Sequence, residues 1–139
     1  GQTSEFQKRM EKQFIELGKR VCFTGYVSYD EIWKYYKLAD IAVLPSIWEE
    51  PAGLTMIEAC AAGIPLITTE SGGIPEYLGS DLVFFVNRKG DVIRQLQCEI
   101  LQLLENKQDA LKKANKASKY VVSHYYEKTF YNDFMNAIM

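Results

Sequence analysis

The chain has 139 residues, 47% hydrophobic and 24% charged, with a formal net charge of −2: the make-up of one folded domain with a core of its own. Lysines and arginines are interspersed with acids, which excludes the basic footprint of a nucleic-acid binder. No apolar run nears the roughly 20 residues that span a bilayer, and the polar opening GQTSEFQKRM has no signal-peptide stretch, so a cytoplasmic protein is expected.

Phe6, Met10, Phe14 and Leu17 recur at helical spacing and stop at Gly18, predicting an amphipathic helix. Four short apolar runs follow, VCFTG (21–25), IAVLP (41–45), PLITT (65–69) and LVFFV (82–86), too brief for helices and rich in β-formers. They read as buried strands. Between the first two, SYDEIWKYYKLA carries a capping-box pair, Ser28 and Glu31, and one face of Ile32, Tyr35, Tyr36 and Ala39. A further helix, GLTMIEACAA, precedes the third strand. Strands that alternate with helices and are apolar on both faces predict an α/β, doubly wound parallel sheet with flanking helices.

Beyond residue 90 the pattern is helical. Asp91 is placed to cap a helix whose inner stripe is Val92, Leu96, Ile100 and Leu103. A second helix, about 108–122, should bury Leu111, Ala114, Ala117 and Val121 and turn out Lys112, Lys113, Lys116 and Lys119, a face that suits solvent or an anionic membrane surface. The aromatic end YYEKTFYNDFMNAIM predicts a third, with Phe130, Phe134 and Ile138 inward. Cys22, Cys60 and Cys98 lie far apart without a CxxC pair, which points to buried free thiols rather than zinc ligands or disulfides.

In open parallel sheets, ligands bind beyond the carboxyl ends of the strands. One such end carries Trp48, Glu49 and Glu50 before a helix beginning near Gly53; another, TTESGGIPEYL, carries Gly72 and Gly73, which let bare backbone approach a bound group. Free N–H groups of Gly53, Leu54 and Thr55 at a helix start suit phosphate. Carboxylates suit neighbouring hydroxyls instead, so Glu50 before the tip and Glu58 one turn inside it imply a ligand with hydroxyls, phosphate and hydroxyls. Blander readings stand beside these. Thr55 and Glu58 fit a capping box, Glu49 reads as a solvated neighbour, Glu76 as a first-turn acid, and Trp48 as a stacking platform or a packing plug. His124 sits in a helical aromatic stretch, where a catalytic role is not expected.

A Pro-Ser strand end, then EEPAGLTMIEACAAGIPLITT, then GGIPE resembles the donor-binding signature of the retaining, glycogen-synthase-like glycosyltransferases of family four, which have the two-domain GT-B fold. The likeness extends over essentially the whole chain. It implies that Glu50 holds hydroxyls of the transferred sugar, with a catalytic part, and that Glu58 binds the ribose. It further implies that Gly53, Leu54 and Thr55 hold sugar and diphosphate oxygens, that Gly72 and Gly73 wall the cleft, and that no metal cofactor is used. By the same resemblance, residues 1–139 are part of a C-terminal nucleotide-sugar-binding domain of Rossmann type. On that likeness the glycine-rich loop, the Arg and Lys that grip the diphosphate, and the N-terminal acceptor domain are expected to lie outside these residues. Such a fragment is expected not to turn over alone, and to self-associate or rearrange its strands. Ala52 stands where the family often has a bulky residue, implying a differently shaped sugar pocket. A GT-B epimerase or phosphorylase is the nearest alternative; a phospho-receiver module would want acids where VCFTG and IAVLP end in Gly and Pro.

Overall fold

The structure, a computed structural model, describes residues 4–126, apart from the side chain of Gln7. The helix expected around Phe130, Phe134 and Ile138 lies outside the described residues. The chain divides into two units, 1–32 and 33–139.

The first unit contains α1 (Glu5–Ile15) and a 3-10 turn (Gly18–Arg20). Phe14 meets Phe23 edge to face, their ring centroids 5.3 Å apart. The run 21–25, expected as a strand, is not one. Its apolar residues have the right character, but a strand exists only through a neighbour that takes its backbone hydrogen bonds, and among the described residues no partner pairs with it. Phe23 stays half exposed as a result. The helix α2 (Tyr29–Leu38) begins in this unit and ends in the next.

The second unit holds three parallel strands, β1 (Ala42–Leu44), β2 (Leu66–Thr69) and β3 (Phe84–Val86), in the spatial order β1-β2-β3. Ala42 pairs with Leu66, and Ile67 with Phe84. Between them run α3 (Leu54–Ala61) and the single turn α4 (Ile74–Tyr77); α5 (Val92–Glu105) and α6 (Lys107–His124) follow. Every residue of β2 is buried, and its alternation sorts them between two layers. Leu66 joins Met56, Ala59, Cys60, Ile74, Val83, Ala117 and Val121 under α3 and α6. Ile67 joins Val86, Leu103 and Ala110, flanked by Val92, Leu96 and Ile100 of α5. Both faces of the sheet are therefore covered, as the unbroken apolar runs imply.

Asp91 caps α5 as expected, its carboxylate accepting the Arg94 N–H at 3.0 Å. The stripe of α6 is shifted from the expected one. Ala110 is buried and Leu111 is half exposed, because the small alanines at 110, 114 and 117 let the helix lie close against the sheet and α3. Its lysine face is only partly free: Lys113 sits 3.8 Å from the Phe84 ring centroid and Lys116 pairs with Asp81 at 2.6 Å. No helix among the described residues is long and apolar enough to cross a membrane.

Of the cysteines only Cys60 is buried; Cys22 and Cys98 are exposed, against expectation. Cys22 belongs to the run that found no sheet, and Cys98 falls on the outer side of α5. Burial pushes the Cys60 thiol up to about 12, so almost none of it is the reactive thiolate at neutral pH. Alkylation of the native chain at pH 8 should therefore modify Cys22 and Cys98 within minutes and Cys60 only after denaturation, as peptide mass mapping would show.

Candidate functional site

Because β1, β2 and β3 are parallel, the loops 45–53, 70–73 and 87–91 leave from one edge of the sheet. Side chains of β2 and of the second loop hold the end of β1 and the first loop. Thr68 donates its hydroxyl to the Leu44 carbonyl at 3.0 Å, and Thr69, the last residue of β2, and Ser71 both donate to the Ser46 carbonyl, at 2.5 and 2.6 Å. These three residues are wholly buried, and each hydroxyl has a partner, as burial demands. The Gly73 N–H donates to the Glu50 carbonyl at 2.8 Å.

The glycine pair has a local steric reason. Gly72 has a φ of +54°, and a Cβ there would overlap the backbone N and O of Glu50 and stand 2.7 Å from the Glu49 carbonyl carbon. At Gly73 it would come within 2.9 Å of the Pro51 carbonyl oxygen. The bare backbone that the sequence offers to a ligand thus faces 49–51, and its direct effect is to dock one loop on the other.

Glu49 is exposed, as expected of a solvated neighbour, yet it has partners. One carboxylate oxygen pairs with Arg88 of the third loop and the other accepts the Gly72 N–H at 3.1 Å, so a single side chain ties all three loops together. The Arg88 hydrogen bond is the main reason its carboxyl titrates below the usual 4.5. Trp48 is 77% exposed and plugs nothing.

At the start of α3 the three expected donors differ. The Gly53 N–H is taken: it donates to the Tyr77 hydroxyl at 2.7 Å, beneath a surface so close that a Cβ on Gly53 would overlap Met56 and stand 2.9 Å from that hydroxyl. The N–H groups of Leu54 and Thr55 bond to no described residue, and both side chains are exposed, so these two donors remain open at the positive end of the helix.

Glu58 does not form a capping box. Gly53 occupies the N-cap position and Met56 the N3 position, which puts Thr55 and Glu58 two residues too far along. Side chains of a helix lean toward its N-terminus, so Glu58, four residues after Leu54, is directed toward the open tip. The Tyr36 hydroxyl steadies it there, lying 3.3 Å from the Glu58 carboxylate and 3.4 Å from the Thr55 carbonyl. Burial raises the Tyr36 phenol above its ordinary 10.0, and the neighbouring carboxylate adds to this. Glu50 lies in the loop before the tip, half-buried, its backbone carbonyl accepting from Gly73; burial raises the Tyr77 phenol above its ordinary 10.0, and the nearby Glu50 charge adds to this. Among the described residues no three His, Cys, Asp or Glu side chains gather as a metal-binding group. His124 stacks on Tyr120 with centroids 4.1 Å apart, its Nδ1 against the Tyr120 carbonyl and the Ser123 hydroxyl.

Leu54, Thr55 and Glu58 thus lie in the first turns of α3, Glu50 lies in the loop that leads into it, and Gly72 and Gly73 pack against that loop. Sequence reasoning missed Tyr36, Tyr77 and Arg88. Tyr36 was legible only as one position of an inward stripe, and Tyr77 lies beside the GGIPE run that was read; nothing local marks Arg88, whose partner is 39 residues away.

The sequence matches the family described as glycosyl transferases group 1 over residues 1–122, and the chain belongs to that family. It is 37% identical over 78 residues to an uncharacterized glycosyltransferase of Methanocaldococcus jannaschii, covering 55% of this chain and 20% of that protein. Over 54 residues it is 46% identical to a glycogen synthase of Mycobacterium tuberculosis, covering 39% of this chain and 13% of that one. Among solved structures, sucrose-phosphate synthase from Thermosynechococcus elongatus aligns with a TM-score of 0.78 at 25% identity, over 95% of this chain and 35% of the other. The C-terminal domain of a group 1 glycosyl transferase from Francisella tularensis aligns at 0.75 and 26%, over 88% and 64%. The fold is thus the Rossmann-like C-terminal part of a GT-B glycosyltransferase, and the chain matches about a fifth of the length of the first of these curated relatives.

Proposed function

We propose that the chain binds a nucleotide-diphosphate sugar, as donor for retaining transfer of a hexosyl group to an acceptor held by an N-terminal partner domain. The observation that carries this reading is the open tip of α3: the Leu54 and Thr55 N–H groups bond to no described residue, on a helix that carries Glu58 and follows the loop that carries Glu50. Two amide donors on a positive helix end hold diphosphate oxygens, and each carboxylate accepts from adjacent hydroxyls: Glu50 from the sugar, Glu58 from the ribose. The chemistry asked of these groups is positioning and stabilisation of the departing diphosphate, with no covalent enzyme intermediate. Family membership and the structural relatives support the same reading. Synthesis of cell-surface polysaccharide or glycoconjugate is the setting we favour, since one relative is a lipopolysaccharide 1,2-N-acetylglucosaminetransferase of Salmonella typhimurium, 32% identical over 78 residues.

Calorimetric or NMR titration with uridine, guanosine and adenosine diphosphates and their sugar conjugates tests the proposal. One nucleotide series should bind. Glu58→Gln should weaken both its diphosphate and its sugar conjugate by about tenfold or more, the worth of a hydrogen bond to a charged group. Glu50→Gln should weaken chiefly the conjugate, and in a parent enzyme that turns over it should cost more rate than Glu58→Gln. Two variants that behave as wild type would refute the assigned roles.

A further inference from the structure

The Gly53 amide raises a problem for the donor site: the first N–H of the helix tip, the one nearest Glu50 in the chain, is consumed inside the protein. Its acceptor is the Tyr77 hydroxyl, at 2.7 Å. A phenol that accepts a hydrogen bond still has its own proton to donate, and among the described residues that proton has no acceptor within hydrogen-bonding geometry. Accepting from an amide also polarises the O–H and strengthens it as a donor.

Tyr77 is placed with little freedom. It is the last residue of α4, whose start is fixed by the docking of Gly72 and Gly73 on 49–51. Its ring meets that of Tyr125 edge to face at 6.4 Å, and the Tyr125 hydroxyl donates to the Tyr77 carbonyl at 3.3 Å. The phenolic oxygen is part-buried, above the buried Gly53 and on the Glu50 side of the tip.

We propose that Tyr77 relays the lost donor: its O–H replaces the Gly53 N–H as the hydrogen-bond donor to the sugar moiety of the nucleotide sugar, alongside Glu50. This rests on the donor-binding reading above and deepens it. A hydroxyl of the sugar can then donate a hydrogen bond to the Glu50 carboxylate while a ring or hydroxyl oxygen accepts from Tyr77, a donor and acceptor pair that reads one edge of the hexose. The nucleoside diphosphate, held by Leu54, Thr55 and Glu58, makes no use of Tyr77.

That asymmetry supplies the test. Tyr77→Phe removes the donor and keeps the ring, and should weaken binding of the sugar conjugate about five- to tenfold while changing affinity for the matching nucleoside diphosphate by less than about twofold. Tyr125→Phe, which removes the bond to the Tyr77 carbonyl and the hydroxyl interaction with Tyr120 but keeps the ring, should change neither. An effect of Tyr77→Phe on both ligands alike would mark it as a mere prop of the helix tip, and no effect on either would dismiss it; each overturns the relay. Should the wild-type chain bind no member of the panel, the donor-binding reading itself falls, and the relay with it.

Discussion

Replacing Gly72 by alanine should lower stability by about 3 kcal/mol, with roughly a third of this from a side chain at positive φ and the rest from the collision of its methyl group with backbone. Gly72 has a φ of +54°, and its Cβ would overlap Glu50 N and O, atoms that cannot swing aside as a side chain can. Gly63 is the internal control. Its φ is +76° at the C-terminal end of α3, yet a Cβ there meets nothing within 4 Å, so Gly63→Ala should cost only about 1 kcal/mol. Denaturant melts of the two variants side by side separate the conformational cost, common to both, from the docking cost that only Gly72 carries. Ligand affinity should fall in step for Gly72→Ala alone, because the backbone it displaces is that of Glu50.

Truncating Ile67 to alanine should cost about 4 kcal/mol, the largest loss expected of any single core truncation in the α5 layer. Ile67 is fully buried on the central strand, pairs in register with Val43 and Phe84, and packs with Val86, Leu103 and Ala110. Neighbouring strands on both sides stop the backbone from collapsing into the void. A native chain with a typical reserve of about 5–15 kcal/mol would lose a large part of it. Equilibrium unfolding by urea measures this directly; a loss under about 1.5 kcal/mol would mean that the α5 layer is loosely packed.

Periodicity and turn chemistry made much of this architecture legible. The runs at 41–45, 65–69 and 82–86 each contain a strand, and the Asp91 cap fixes the start of α5. These are local signals, and they survive because β2 has a neighbour on each side and a helix layer on each face. VCFTG carried the same local signal and failed, since pairing is not local. The same divide runs through the site. Glu50 and Glu58 are eight residues apart and their common helix end can be read directly, whereas the Tyr77 hydroxyl reaches Gly53 across 24 residues and Arg88 reaches Glu49 across 39. Such pairs depend on where loops come to rest. The capping-box reading of Thr55 and Glu58 failed for a different reason: the helix starts two residues earlier than that motif requires, a shift of the size that sequence boundaries cannot resolve.

The helix α6 belongs to both hydrophobic layers, with Ala110 in one and Ala117 and Val121 in the other. A strap fastened at two points does not peel from either alone. Amide protons of α6 should therefore exchange in a single cooperative opening together with those of β2, and any binding event that tightens the sheet edge would slow exchange along the full length of that strap, far from where the ligand sits.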